Sequence, residues 1–198
     1  MSLSLLSWRR SVSELYAEVR RQSPVVGHRH WMEGRRALLR DHPESPIPRD
    51  RREEADRIPV APYDPSLRFE AELEPGAAVS SLEIPTEDEG IVSFHSIGRV
   101  HLAGVGSLEV WWLRSYGGGL FVPLKDGLAG SETYGGGRYL LDTAKGADLG
   151  SQGESLVVDL NFAYNPSCAY DPHWMCPLAP EANTVPVTVR AGELTIPS

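Results

Sequence analysis

A chain of 198 residues with 41% hydrophobic side chains can bury the core of one domain. Its net charge of −8 is unevenly placed: residues 1–57 carry 12 Arg against 9 acidic side chains, and residues 58–198 carry 7 basic against 18 acidic. The acidic body repels phosphate backbones and argues against nucleic acid, and no run approaches the ~18 apolar residues that span a membrane.

Leu5, Trp8, Val12, Leu15 and Val19 recur at steps of three and four and predict a first helix with one apolar face. Ser23 before Pro24 stops it and opens a second helix carrying Trp31, Ala37, Leu38 and Leu39, which ends near His42-Pro43. Three prolines then make 43–49 an extended linker, and Asp50 can cap a short charged helix through Arg57. Residues 1–57 therefore read as a helical segment and 58–198 as a β-rich domain, forming one structural unit.

From Ile58 the apolar period becomes two. Leu67 to Glu74 alternates apolar and polar side chains without a break, which is a strand with one buried and one wet face. Further strands read at 78–84, 90–96, 98–103, 107–114, 119–124, 137–142, 155–161 and 184–190, with gaps too short for crossover helices. The expected fold is mainly β, of the α+β kind. It is an antiparallel barrel or bent sandwich of about eight to ten strands, with two or three N-terminal helices packed on it. Trp111 and Trp112 occupy opposite strand faces, one for the core and one for the underside of the helices.

Two segments echo each other 18 residues apart, Ser115 to Phe121 and Thr133 to Tyr139, each with Tyr followed by three glycines. Each reads as a turn that opens a strand and admits close approach of a backbone or a ligand. Residues 162–183 hold four prolines, Pro166, Pro172, Pro177 and Pro180, and form a stiff loop of the kind that fixes side chains beside a sheet.

Several of these stretches resemble one family. They are Tyr-Gly-Gly-Gly-Leu-Phe-Val-Pro at 116–123, Glu-Thr-Tyr-Gly-Gly-Gly-Arg-Tyr-Leu at 132–140, and Asp-Leu-Asn-Phe-Ala-Tyr-Asn-Pro-Ser-Cys-Ala-Tyr at 159–170. Cys-Pro-Leu-Ala-Pro at 176–180, Arg-Ala-Gly-Glu at 190–193, His-Pro-Glu-Ser-Pro at 42–46 and Tyr-Asp-Pro-Ser-Leu-Arg-Phe at 63–69 belong with them. The resemblance is to the bacterial and archaeal family known as domain of unknown function 1684, nearest its actinobacterial branch. It implies one unit of this length and carries over no catalytic role. His173 is not part of the pattern.

Four groups of residues are candidates for chemistry. Arg138 opens a strand after its glycine turn, while Asp159 and Asn161, two apart on a strand, share a face. Together they describe either an anion site or an ion pair that ties loop to sheet. Tyr164 and Asn165 begin the stiff loop, and Tyr134 belongs to the second glycine turn. These six residues are the expected ligand-binding set, and Asp159 and Arg138 are the weak candidates for catalysis. Cys168 and Cys176 admit a disulfide, a metal site with Asp171 and His173, or a nucleophile with His173 as base. Cys-x₇-Cys departs from zinc spacing, so no metal or other cofactor is expected.

His28 and His30 point apart on a helix. His95 and His101 can meet across a hairpin, and Asp142 with Lys145 reads as a solvated pair. The opening residues, with Arg9 and Arg10 after a very short apolar run, are not patterned as a signal peptide. That makes the cytoplasm the expected location, with both cysteines reduced there by default. The preferred function is small-molecule binding, with an anionic ligand held between the glycine turns and the loop at 162–180. A hydrolase or isomerase using Asp159 with Arg138, and a protein-interaction module, are the alternatives. Oligomeric state is left open.

Overall fold

The computed structural model describes residues 3–76, 80–86 and 90–196. The N-terminal helices are α1 (Leu3–Val19) and α2 (Pro24–Asp41). Ser23 takes the N-cap position of α2 in an extended conformation, without a side-chain cap, and Pro24 pre-sets the first turn. His42 closes the helix through its amide bond to the Leu38 carbonyl, because the residue before Pro43 avoids helical angles. The helices bury Leu15, Tyr16, Val19 and Trp31 in the main core, where the Trp31 indole donates to the Tyr16 hydroxyl at 3.1 Å.

The proline linker is not free. Its carbonyls at Ile47, His42 and Pro43 accept from Arg52, and the Ser45 hydroxyl donates to Leu39 at 2.6 Å. Arg52 belongs to a 3₁₀ helix, Arg49–Arg57, that returns the chain against α2.

The strands are β1 (Arg68–Glu72), β2 (Ser81–Thr86), β3 (Gly90–Leu102), β4 (Gly106–Leu113), β5 (Leu120–Leu124), β6 (Arg138–Asp142), β7 (Ser151–Gln152) and β8 (Ser155–Asp159). All pair antiparallel, in two sheets ordered β1-β8-β7 and β2-β3-β4-β5-β6. Ala71, Val157 and Val158 from the small sheet share one core with Val100, Leu108, Val110 and Leu140 from the large one. The architecture is α+β, as expected.

The expected barrel is corrected, because the two sheets do not close on each other. The segment 184–190, read as a closing strand, makes a single bridge between Thr184 and Lys125. Pro186 in its middle has no amide to donate to a ladder. The strands expected at 90–96 and 98–103 are one strand, β3, with a bulge between Ser96 and Gly98 that mimics a break in sequence. That places His95 and His101 on the same strand, facing Trp112 and Ser107 across the ladder, so they do not meet. The first residues of the strand read at 78–84 lie outside the described residues. Trp111 is buried as expected, its indole donating to Asn183 at 2.8 Å. Trp112 lies half-exposed against the Gly118 turn, not under the helices.

β8 ends at Asp159, two residues earlier than the sequence suggests. A 3₁₀ turn, Leu160–Phe162, follows, with the Asp159 carboxylate capping the Asn161 amide at 3.0 Å. Asp159 and Asn161 therefore share no strand face. Asx capping competes with strand continuation at this position.

Candidate functional site

Arg138 is completely buried. It sits in a cage of Asp126, at 2.9 Å from one end of the fork, and the carbonyls of Val189, Ala191 and Glu193, while its buried Nε has no hydrogen-bond partner among the described residues. Asp126 is itself held by Thr133 at 3.1 Å. Asp159 has different partners. Its carboxylate accepts from Tyr63 at 3.1 Å, from the Asn161 side chain at 2.8 Å and from Arg68 at 3.4 Å. Asn161 also bonds both the amide and the carbonyl of Asp64 at 2.8 Å. The sequence-predicted trio thus separates into two polar clusters, Arg138 with Asp126 and Asp159 with Asn161, Tyr63 and Arg68.

Burial raises the Asp159 carboxyl above its ordinary value, and the hydrogen bonds from Asn161 partly oppose that rise. The neighbouring ring of His28 lies between Trp31, Tyr63 and Phe162, and burial lowers its basicity. Asp142 is buried and pairs with Lys145 at 3.5 Å, so this is not the fully solvated pair expected.

The stiff loop is anchored by a second buried carboxylate, that of Glu193. It accepts from Arg35 of α2, from the Asn165 amide at 2.7 Å and from the Tyr170 hydroxyl at 3.0 Å. The Arg35 guanidinium also lies over the Tyr164 ring at 4.5 Å. This clamp fixes the backbone on both sides of Asn165. It consumes Tyr164 as packing: its ring meets Tyr139 edge-on at 5.6 Å, and its backbone bridges that of Tyr139.

What the clamp leaves open is a cleft of about 360 Å³. One wall is the loop, with Asn165, Ala169 and Tyr170. The opposite wall comes from Arg51, Glu54, Arg57 and Ile58 of the 3₁₀ helix, and Tyr134 with Leu194 to Ile196 forms the floor. The volume lies within the usual range for small-molecule pockets, about 300–1,000 Å³. A void of about 10 Å³ under α2, beside Trp31 and Arg35, has room for no more than a water.

The polar groups in the cleft are unevenly satisfied. Arg51 forms a two-pronged pair with Glu54, at 2.8 and 2.7 Å, and reaches the Tyr170 carbonyl. Arg57 is exposed, while its acidic neighbours Glu54 and Asp56 are turned to Arg51 and Arg40. The side-chain carbonyl of Asn165 is buried and has no hydrogen-bond partner among the described residues.

Beside the cleft the two cysteines are free thiols, and they face each other. The Cys168 amide donates to the Cys176 sulfur at 3.3 Å, and the Tyr134 hydroxyl reaches the Cys168 sulfur at 3.6 Å. Hydrogen bonds from Cys176 and Tyr134 lower the Cys168 thiol to about 6, and Cys176 moves the opposite way. Burial raises the Tyr134 hydroxyl to about 12, so it remains a donor at neutral pH. His173 is exposed, its amide capped by Asp171 and its ring beside Trp174, away from the base position read from sequence.

Of the expected ligand residues, then, the structure brings Tyr134 and Asn165 to one cleft and puts Arg138, Asp159, Asn161 and Tyr164 into the framework. Sequence reasoning missed Arg51 and Arg57. Their one signal was the excess of Arg in residues 1–57, which carries no information about which Arg faces a cavity.

No curated protein matches the chain. Among solved structures it is similar to the solution NMR structure of an uncharacterized protein of Haloarcula marismortui, at 32% identity and TM-score 0.57. That match covers 80% of this chain and 87% of the other. The sequence pattern described as "Protein of unknown function (DUF1684)" matches residues 53–194, from the 3₁₀ helix to the last wall of the cleft. The chain therefore belongs to the DUF1684 family of proteins of unknown function.

Proposed function

We propose that the chain binds a small anionic molecule in the cleft between the Tyr134 turn, the loop at 162–180 and the 3₁₀ helix, and that it does so in the cytoplasm. The observation that carries this reading is the unpartnered, buried carbonyl of the Asn165 side chain in the cleft wall. An unsatisfied buried acceptor costs about 1–3 kcal/mol, and a bound hydrogen-bond donor recovers that cost. Arg57, exposed and without a hydrogen bond or ion pair among the described residues, supplies the charge for a carboxylate or phosphate. The ligand class is thus an acid that also carries a hydroxyl or amine. Hydrolysis or isomerisation at Asp159 and Arg138 has less support, because neither residue lines this cleft and each is held by neighbouring residues within the framework.

The test is a thermal-shift screen of small hydroxy and amino carboxylates and their phosphorylated counterparts. A binder should raise the melting temperature of the wild type. Arg57→Ala should melt as the wild type does without ligand, and should bind about tenfold to a hundredfold more weakly, the loss of one charge-assisted bond of about 1.5–3 kcal/mol. Asn165→Ala should also abolish the shift without lowering the unliganded melting temperature. A wild type that no acid stabilises, or variants that bind as well as wild type, would remove the reading.

A further inference from the structure

The cysteine pair has a geometry that small-molecule binding does not require. Cys168 lies in a one-turn 3₁₀ helix, Ser167–Ala169, and Cys176 returns to it across a seven-residue excursion containing Pro172. Both residues are half-buried. Two thiols hydrogen-bonded to each other share one proton readily, and here the environment is asymmetric. The single Tyr134 hydroxyl proton is shared between the Cys168 sulfur at 3.6 Å and the Cys168 carbonyl at 3.4 Å, and Gly136 lies behind the Tyr134 ring. Cys176 has other neighbours: the Cys168 amide donates to its sulfur at 3.3 Å, and the Tyr139 hydroxyl and Lys145 act on it from the sheet side. Two facing thiols, one of them beside the hydroxyl of a cleft residue, meet the requirement for reversible thiol oxidation, one sulfur to attack and one to resolve.

We propose that Cys168 and Cys176 form a redox pair in which Cys168 attacks a hydroperoxide and Cys176 resolves the product as an intramolecular disulfide. In the first step the Cys168 thiolate attacks the terminal oxygen of ROOH. The sulfur–oxygen bond forms, the oxygen–oxygen bond breaks, and RO⁻ leaves as ROH with a proton, for which Tyr134 is the nearest donor. Cys168 is then a sulfenic acid. In the second step the Cys176 sulfur attacks the Cys168 sulfur. The disulfide forms, the sulfur–oxygen bond breaks, and hydroxide departs as water with the Cys176 proton. The two thiols are oxidised by two electrons, and the peroxide is reduced to an alcohol and water. A thiol reductant restores the pair by exchange. Tyr134 and Ala169 line the cleft while neither cysteine does, so the pair lies behind that lining and its reaction is separate from what the cleft binds.

The lowered Cys168 thiol value supports the order of attack, because thiolate is abundant at a pH where an ordinary cysteine is almost wholly protonated. Lower nucleophilicity of a more acidic thiol offsets part of that gain. The net expectation near pH 6 is a reaction about tenfold faster than free cysteine.

Stoichiometric hydrogen peroxide added to the reduced protein is the test, with intact mass and peptide mapping as readout. The wild type should lose two hydrogens and yield a Cys168–Cys176 peptide pair, and dithiothreitol should reverse it. Cys176→Ser should stop at a Cys168 sulfenic acid that a cyclic diketone traps, and Cys168→Ser should react at the rate of free cysteine. Tyr134→Phe should slow the reaction at pH 6 and recover as pH rises. Oxidation of wild-type Cys168 no faster than free cysteine at pH 6, or oxygen addition to Cys168 without the disulfide, overturns the proposal.

Discussion

The two glycine turns begin alike and end differently. In the first, Tyr116 is fully exposed, and the turn closes on Trp112 before β5. In the second, Tyr134 is drawn in toward Cys168, and the turn opens into β6 with Arg138 entering the core. Near-identical sequence thus gives a surface turn in one place and a cleft floor in the other. The difference comes from what lies across from each. The first turn packs on Trp112 and on the Thr143-Ala144 turn, whereas the second faces the stiff loop and the C-terminal segment. Ala179 and the Leu124 carbonyl crowd Gly137, and Leu178 crowds Gly136. A glycine motif therefore reports that a backbone must come close, and says nothing about what it comes close to.

Substituting the residue that follows each turn should give the largest contrast. Arg138→Ala leaves the Asp126 carboxylate buried without its cation, so a loss of about 3–5 kcal/mol in chemical denaturation is expected. Leu120→Ala, at the matching place in the first turn, removes a partly buried side chain and should cost less than half as much. Equal losses would mean that the Arg138 cage adds nothing to ordinary packing.

The glycines themselves come next. At Gly137, φ is +88°, and an added Cβ would lie 2.8 Å from the Leu124 carbonyl, so Gly137→Ala should cost about 2–4 kcal/mol in combined strain and overlap. In the first turn Gly117, which matches Gly135, has open space around an added Cβ, and Gly117→Ala should stay within about 0.5 kcal/mol of wild type. Gly119, the match of Gly137, offers no such contrast, because its φ of +148° and the Ala144 backbone constrain it too.

The tyrosines give the smallest stability effect and the sharpest chemical one. Tyr116→Phe should change nothing measurable, since the side chain is fully exposed. Tyr134→Phe should cost about 1 kcal/mol for its hydrogen bonds and should move the titration of Cys168. Alkylation of Cys168 requires thiolate, so its rate in the wild type should rise with pH through a midpoint near 6 and level off above it. Loss of the Tyr134 donor destabilises the thiolate, and the midpoint must shift upward. An unchanged midpoint would show that Cys176 alone stabilises the anion.

Local periodicity made much of the fold readable. The step of three and four gave α1 and α2, Pro43 marked the end of α2, and the alternation from Leu67 gave β1 with Ala71 inward. Where reading failed, a local rule met a competing one. The bulge at Gly98 made one strand look like two, and the Asp159 cap ended β8 before Asn161. For the site, the sequence singled out the second glycine turn, the proline-rich loop and the cysteine pair, because glycine, proline and cysteine carry their conformational and chemical meaning with them.

The amino-acid order by itself determined the elements, the stiffness of the loop and the closeness of Cys168 to Cys176, all of which depend on residues a few positions apart. Charge pairing was left to the tertiary structure. Arg138 took Asp126 and the carbonyls of 189–193, Asp159 took Tyr63 and Arg68, and Arg35 took Glu193. The physical reason is that a guanidinium accepts any carboxylate that closure of the chain brings within reach, so its partner is fixed by the whole fold. The cleft follows from the same cause. Arg51 and Arg57 face Tyr134 and Asn165 only after the C-terminal segment has folded back and Glu193 has clamped the loop to α2.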